Sequence, residues 1–253
     1  MKAIVLGAGY ATRLYPLTKD RPKPLLPVGG IPILERICRQ LEDLADLDTI
    51  YIVTNHTFVE PYERWLRDYS QRRQSPPILT LYDDQTTTPE NRLGAIGDLR
   101  FVIDHASIDS DLLVMAGDNL IDSPLVDFVR DGKRQGATVG VKDFRDPAKV
   151  SLYGVVEMGV DSRIVGFEEK PARPRSSLVA VGLYFFPRHT LPLVSRYLDA
   201  GQSKDAPGYY LQWLYRETPL YGHLLQGDWV DIGDLDSYRR ADERMSRGAV
   251  GTP

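Results

Sequence analysis

The sequence predicts an α/β chain: a single open, mostly parallel sheet flanked by helices, with an antiparallel sheet inserted in its second half. Three observations lead there. Short apolar runs, Lys2 to Leu6, Thr49 to Thr54, Ile78 to Tyr82 and Asp111 to Gly117, alternate with stretches of helical periodicity, which is the rhythm of βαβ units. From Tyr153 onward that rhythm gives way to strands separated by turns. No Ser/Gly-rich linker or low-complexity tract divides the 253 residues, so one domain is expected, large enough to bury a sizeable core.

Composition narrows the partners. The net charge of −4 argues against nucleic acid as a bulk electrostatic partner. The only cysteine, Cys38, excludes an internal disulfide and fits a reducing compartment. Met1 leads directly into a core strand with nothing like a signal peptide ahead of it, and no apolar run is long enough to cross a bilayer. A cytoplasmic protein with no membrane partner is the expectation.

The first strand, Lys2 to Leu6, empties into Gly7-Ala8-Gly9, a turn in which backbone N–H groups can approach an anion unobstructed by side chains. Between Arg13 and Lys23 four cations, Arg13, Lys19, Arg21 and Lys23, face one acid, Asp20. Such a cluster after a glycine turn suggests a polyphosphate site. Two commoner phosphate loops are excluded: no Gly-Lys pair follows Gly7 at Walker spacing, and Thr12 stands where a dinucleotide fingerprint needs its third glycine. Pro16, Pro22, Pro24 and Pro27 block an immediate helix, leaving a stiff loop that holds Arg13 and Lys23.

This stretch resembles the sugar-phosphate nucleotidyltransferases, a family typified by glucose-1-phosphate thymidylyl- and uridylyltransferases. Its signature, roughly G-x-G-x-x-T-R-L-x-P-L-T-x-x-x-P-K-P, is matched by Gly7, Gly9, Thr12, Arg13, Leu14, Pro16, Leu17, Thr18, Pro22, Lys23 and Pro24, with Ala11 where many relatives have glycine. The resemblance implies a Rossmann-like fold whose inserted antiparallel sheet binds an acceptor. It divides the chain into a nucleotide-binding part over about 1–142, an acceptor-binding part over about 143–226 and a metal-ligand segment with a helix over 227–247.

Next, Ile31-Pro32 opens a predicted helix to about Ala45, with Ile33, Leu34, Ile37, Leu41 and Leu44 on one face and Cys38 packed beside them. After the strand at Thr49 to Thr54, Pro61 starts a helix carrying Tyr62, Trp65, Leu66 and Tyr69, and Ile78 to Tyr82 is the third strand. His56 reads as a polar loop residue, and His189 and His223 have no carboxylate or cysteine at metal-ligand spacing and are assigned no chemistry. The connection from Asp83 to Arg92 is long and polar, a kind of loop that is disproportionately functional. It ends at Leu93-Gly94, where a helix runs to about Asp104. By resemblance, Leu6, Gly7, Ala8, Gly9 and Gly94 present backbone to the nucleotide and Gln85 reads the base, at a longer spacing from Gly94 than the family pattern has.

Asp111 to Gly117 is an apolar strand with Asp118-Asn119 at its carboxyl end, the edge where open parallel sheets bind ligands. Position alone leaves Asp118 open between a turn residue and a functional acid; the resemblance implies that it holds Mg²⁺. Ser123-Pro124 is expected to cap a helix to about Arg134, and Ala137 to Lys142 is a further strand. Tyr153 to Glu157, Ile164 to Pro171 and Leu178 to Phe186 read as antiparallel strands. The resemblance makes Tyr153, Gly154, Glu169 and Lys170 the acceptor-binding residues, the Gly154 backbone and Glu169 contacting sugar hydroxyls and Lys170 reaching the acceptor phosphate.

Near Asp205 to Leu214 the pattern departs from the family, which has Arg-Gly-Glu-x-Glu-Ile; no arginine stands here. Tyr209, Tyr210, Trp213 and Tyr215 read either as core or as contacts in a homo-oligomer, with an unusual acceptor pocket as a third possibility. After a strand at Leu220 to Gln226, Trp229-Val230-Asp231 matches the family's Trp-x-Asp, making Asp231 the second Mg²⁺ ligand by resemblance, while Asp234 is expected to cap the last helix.

The implied reaction is attack by an acceptor phosphate, carried by a sugar or polyol, on the α-phosphorus of a nucleoside triphosphate, with pyrophosphate leaving. Such chemistry rests on alignment and charge neutralisation, so a histidine base is not needed. Arg13 would steady the pyrophosphate, Lys23 the α-phosphoryl oxygens, and Asp118 and Asp231 the Mg²⁺. Two alternatives stay open: the same chemistry on a heptose, cyclitol, choline-type or phosphonate acceptor, and a nucleotide-sugar-binding regulator without turnover. A dehydrogenase stands third.

Overall fold

The computed structural model describes residues 1–72, 77–144 and 146–248. In chain order the strands are β1 (Lys2–Leu6), β2 (Pro27–Val28), β3 (Ile31–Pro32), β4 (Thr49–Thr54), β5 (Ile78–Asp83), β6 (Leu112–Ala116), β7 (Asn119–Ile121), β8 (Ala137–Asp143), β9 (Gly154–Met158), β10 (Ile164–Glu169), β11 (Leu178–Phe186), β12 (Leu220–Leu224) and β13 (Trp229–Asp231). The helices are α1 (Ile33–Glu42), α2 (Val59–Gln71), α3 (Ala95–His105), α4 (Leu125–Gln135), α5 (Pro147–Val150), α6 (Pro192–Asp199), α7 (Pro207–Glu217) and α8 (Leu235–Gly248).

The predicted fold class is observed. β5, β4, β1 and β6 run parallel in that order, and β11 then pairs antiparallel with β6. β11 is the junction between the two halves. Its residues Leu183–Phe186 lie against β6, Val179 lies against β9, and its other edge carries β8, which pairs in parallel with β12. The antiparallel strands are thus continuous with the main sheet, and β10 returns toward β12 through the Gly222 N–H to Ser162 carbonyl bond.

Helices cover both faces, which is why the central strands are apolar throughout instead of alternating. In β1, Ala3 and Val5 enter a core shared with α1, α2 and α4, whereas Ile4 enters the opposite core, shared with α3, α6 and α7. β6 divides in the same way, Leu113 and Met115 against Leu112 and Val114. Cys38 is buried in the first of these layers, as expected of a small packed hydrophobe.

Several boundaries differ from the sequence expectation for physical reasons. Ile31 and Pro32 do not open α1: they pair with Pro27 and Val28 across Gly29-Gly30, both at positive φ, so the helix begins at Ile33 and it ends at Glu42. α2 starts at Val59, two residues before Pro61, which is tolerated in a first turn that needs no intrahelical N–H there. Ser123 does not cap α4; its Oγ accepts the Gly227 N–H at 2.8 Å and so ties the turn after β7 to the segment before β13. Asp234 does cap α8, its Oδ1 accepting the Ser237 N–H at 2.7 Å.

Candidate active site

β1 and β6 are neighbours and end side by side, so the turns that follow them emerge at one edge of the sheet. From the first turn comes the loop with Arg13 and Lys23, each within a short 3₁₀ turn, Thr12–Leu14 and Lys23–Leu25. From the second comes Asp118. The Lys23 Nζ donates to Asp118 Oδ2 at 2.7 Å across 95 residues of sequence.

Asp231 arrives from the far end of the chain. β13 pairs antiparallel with β7, placing Asp231 opposite Asn119, and the Ile232 N–H donates to the Asp118 carbonyl at 3.1 Å. Across this ribbon the two acids become neighbours. Burial and then the adjacent Asp118 charge push the Asp231 carboxyl up to about 6, against the pull of Lys23, Arg13 and a hydrogen bond from the Tyr153 hydroxyl. Gly233 stands between Arg13 and Asp231: a Cβ built on it would lie 3.6 Å from Asp231 Oδ2 and 4.0 Å from a guanidinium nitrogen of Arg13. Arg13, Lys23, Asp118 and Asp231 therefore converge.

Asn119, to which the sequence reading gave no role, joins these parts. Its Nδ2 donates to Asp118 Oδ1 at 2.8 Å, while its Oδ1 accepts the Trp229 indole N–H at 2.6 Å and the Gly182 N–H at 3.2 Å. One buried amide thereby links β7, β11 and β13. Trp229 packs edge-on to Tyr153 and Phe144, and the Tyr153 hydroxyl, pushed up to about 12 chiefly by burial and next by Asp231, lies beside the acid pair.

The acceptor candidates form a second cluster adjoining the first. Lys170 is tied by its N–H to the Tyr153 carbonyl, and its exposed ammonium is 3.8 Å from the buried Glu169 carboxylate. Glu169, held upward in pKa by burial, is wedged between Gly154 and α7: a Cβ at Gly154 would come within 3.0 Å of Glu169 Oε2, and one at Gly208 within 1.7 Å. Gln212, one turn along α7, accepts the Glu169 N–H at 3.0 Å. Neither Gly208 nor Gln212 was singled out from sequence; a glycine in a helix's first turn is the only trace such a contact leaves.

On the nucleotide side the structure redistributes the expected roles. The Gly7 N–H does not face the loop: it donates to Val53, extending the β1–β4 ladder, and the Tyr62 hydroxyl bonds the Gly7 carbonyl. Gly7 is required for that close approach, since a Cβ there would lie 2.5 Å from the Tyr62 oxygen. The Leu6 carbonyl accepts the Gly117 N–H and Ala8 is held through its carbonyl by Asn55. Gly9 faces open space, with nothing within 4 Å of a built Cβ. Gly94, at φ 77°, admits the Lys204 carbonyl to within 2.6 Å of a built Cβ; that carbonyl and the Asp205 carbonyl take the Ile96 and Ala95 amides. Gln85 is exposed, also at positive φ, on a loop whose Thr86 meets Tyr10 of the glycine turn at 3.3 Å.

The aromatics of α7 resolve mostly as core. Tyr210 is 1% exposed and packs with Tyr197, Phe186 and Trp213, whereas Tyr209 is exposed. His56 and His223 pair with Asp83 and Asp131, away from the acid pair. Among the described residues no helix is long and apolar enough to cross a membrane.

Comparison with known proteins agrees with this geometry. The family model described as nucleotidyl transferase matches residues 2–248. The chain is 28% identical over 233 residues to the bifunctional protein GlmU of Methanocaldococcus jannaschii, a match covering 92% of this chain and 51% of that one. It is 30% identical over 249 residues to a UTP–glucose-1-phosphate uridylyltransferase of Synechocystis sp., covering 95% and 62% respectively. The chain thus spans about half the length of the first of these relatives. In fold it superposes on a Bacillus anthracis protein assigned as a glucose-1-phosphate thymidylyltransferase and solved with sucrose, with TM-score 0.83 at 24% identity and coverage of 97% and 95%. A UDP-glucose pyrophosphorylase bound to UDP-glucose superposes with TM-score 0.80 at 19% identity, covering 98% of each chain.

Proposed function

The chain belongs to the nucleotidyl transferase family, and from that premise we propose that it transfers a nucleoside monophosphate from a nucleoside triphosphate to a phosphorylated sugar or polyol. In this reaction an acceptor phosphate oxygen bonds to the α-phosphorus, the α–β bridging P–O bond breaks, and pyrophosphate leaves. The observation that carries the reading is the meeting of Asp118 and Asp231 across the β7–β13 ribbon, with Lys23 and Arg13 at the same edge.

The acid pair fits Mg²⁺. Two hard oxygen donors are the usual protein share of such a site, and the crowding that raises Asp231 is what a divalent cation would relieve. Asp118 and Asp231 would hold the ion, which would supply neutralisation of phosphate charge. In the free protein Lys23 neutralises Asp118, so Lys23 is positioned to exchange that carboxylate for an α-phosphoryl oxygen. Arg13 offers a planar donor pair to the departing pyrophosphate. Glu169 would accept from an acceptor hydroxyl, Lys170 would meet the acceptor phosphate, and Gly9 and the 83–94 connection would receive the nucleotide. An ionised phosphate is already a nucleophile, so no general base is required.

The acceptor need not be a hexose 1-phosphate. In the region where the family pattern has an arginine this chain has none; Asp205 there pairs with Arg92 at 3.2 Å, and Gly208 follows against Glu169. The test crosses the common nucleoside triphosphates with a panel of phosphorylated sugars and polyols in the presence of Mg²⁺, detecting pyrophosphate and product mass. One active combination is expected to exceed the rest. No pyrophosphate from any combination overturns the reading in favour of a binding protein without turnover.

A further inference from the structure

Beneath the 83–94 connection lie two acids that the proposed chemistry does not use. Asp84, the residue after β5, and Asp98, in the first turn of α3, are each 6% exposed, and their carboxyl groups are within hydrogen-bonding reach of one another. Asp84 Oδ1 accepts both the N–H and the hydroxyl of Thr86, at 2.7 and 2.8 Å. Asp84 Oδ2 and Asp98 Oδ1 are buried with no other donor among the described residues.

The surroundings supply little compensation for two buried charges. Lys204, from the segment before α7, is the facing cation, but its ammonium is bound to the Arg92 carbonyl at 2.8 Å. Arg92 pairs with Asp205, and Asp83, beside Asp84 on β5, adds a further negative charge paired with His56. Tyr10 meets Thr86 from the glycine turn. Two carboxylates in contact under these conditions cannot both stay ionised.

We propose that Asp84 and Asp98 share one proton, and that this proton ties α3 to the 83–94 connection so that Thr86 and Tyr10 stay in register to receive the triphosphate. The pair is a positioning device, and its kinetic consequence rests on the nucleotidyl-transfer reading. The tie runs from Asp98 through Asp84 and Thr86 to Tyr10, with the Thr86 carbonyl also accepting the His56 N–H at 2.9 Å. Loss of the proton replaces a hydrogen bond by repulsion between buried charges and pushes α3 away from the loop.

Burial and the Asp84 charge push Asp98 up to about 8. The triphosphate KM of the wild type should therefore rise about fivefold or more between about pH 7 and pH 9.5 with kcat little changed. Asp98→Asn donates from its amide at every pH and should keep the low KM throughout. Asp98→Ala should show the raised KM at every pH, an effect that a merely structural loss of stability would not produce. A wild-type rise retained in D98N, or a low KM in D98A, overturns the proposal. Carboxyl-carbon NMR of the full chain separates this outcome from failure of the functional reading: one carboxyl of the pair should hold its proton to near pH 8, and titration of both in the ordinary carboxylate range refutes the shared proton whether or not turnover is found.

Discussion

Lys23 and Asp118 meet at 2.7 Å, with the ammonium largely buried and the carboxylate about one-third exposed. The proposed α-phosphate cation is thus held on the candidate metal ligand, and in the proposed reaction both groups would exchange this contact for substrate and metal. Lys23→Ala should lower kcat by about 10²–10³ with the fold intact, the usual loss for a preorganised electrostatic stabiliser. Steady-state kinetics beside a circular dichroism melt tests this, and a variant within about threefold of wild type would remove Lys23 from the mechanism.

Divalent metal should be required for turnover and only modestly for stability. Chelation should abolish pyrophosphate release and Mg²⁺ should restore it, while Asp118→Asn and Asp231→Asn should each lower kcat by about 10² or more at saturating Mg²⁺. Because Asp118 and Asp231 crowd each other, either substitution relieves repulsion, but Asp118→Asn also takes the charged partner from the largely buried Lys23 ammonium. A melting temperature equal to or above that of wild type is therefore expected for Asp231→Asn and a lower one for Asp118→Asn, both with lost activity; retained activity in both variants would discard the acid pair.

Asn119 tests whether the β7–β13 ribbon holds Asp118 in place. Asn119→Ala leaves the Trp229 and Gly182 N–H groups without their acceptor and removes the amide donor to Asp118 Oδ1, with the Lys23 bond to Oδ2 remaining. A stability loss of about 1–3 kcal/mol is expected for the orphaned groups, with a further fall in kcat of about tenfold to a hundredfold from a misplaced carboxylate. Asn119→Asp keeps the acceptor but turns a like charge toward Asp118, so it should recover part of the stability and none of the rate.

Gly208→Ala separates helix propensity from the acceptor pocket. Alanine favours helix over glycine by about 1 kcal/mol, yet its Cβ would lie 1.7 Å from Glu169 Oε2. The carboxylate must therefore move. The acceptor KM should rise about tenfold while the triphosphate KM stays within about twofold; equal changes in both would mean that Glu169 does not serve the acceptor.

Glu35 gives a pH signature remote from the site. It is 4% exposed, and burial alone would raise its pKa, but hydrogen bonds from Arg72 and Arg39 outweigh burial and hold it below the ordinary value. A depressed folded-state pKa contributes stability that is present above the unfolded carboxylate pKa and is lost as pH falls through the folded one. Glu35→Gln should cost about 1–3 kcal/mol near neutral pH, and its gap from wild type should close in acid. Denaturant melts at neutral and acid pH check both statements, and a gap that stays constant with pH would show that the charge is not the source.

How far the site could be read depended on how local its cause was. Arg13 and Lys23 lie in one stretch whose glycines, prolines and cations are written side by side, and Asp118 follows the apolar strand that delivers it. The Asp234 cap was legible for the same reason, since a cap is a contact over three residues. The start of α1 was not, because Ile31-Pro32 satisfy a helix rule and a ribbon equally, and pairing with Pro27-Val28 decides between them. Gly7 was read as an anion-facing amide, but the β4 ladder and Tyr62 claim its polar groups.

By itself, then, the sequence determined the α/β class, the order of the main-sheet strands with the helices between the parallel ones, and the residue types of a candidate phosphate-handling edge, because periodicity, turn residues and short motifs act over a few neighbours. Tertiary structure alone decided that β13 pairs with β7, that Asn119 joins three strands, that Gly208 yields its space to Glu169, and that Asp84 meets Asp98. Each of these is a contact between groups remote in the chain, whose energy comes from burial and from hydrogen bonds that exist only once the sheet has brought its edges together.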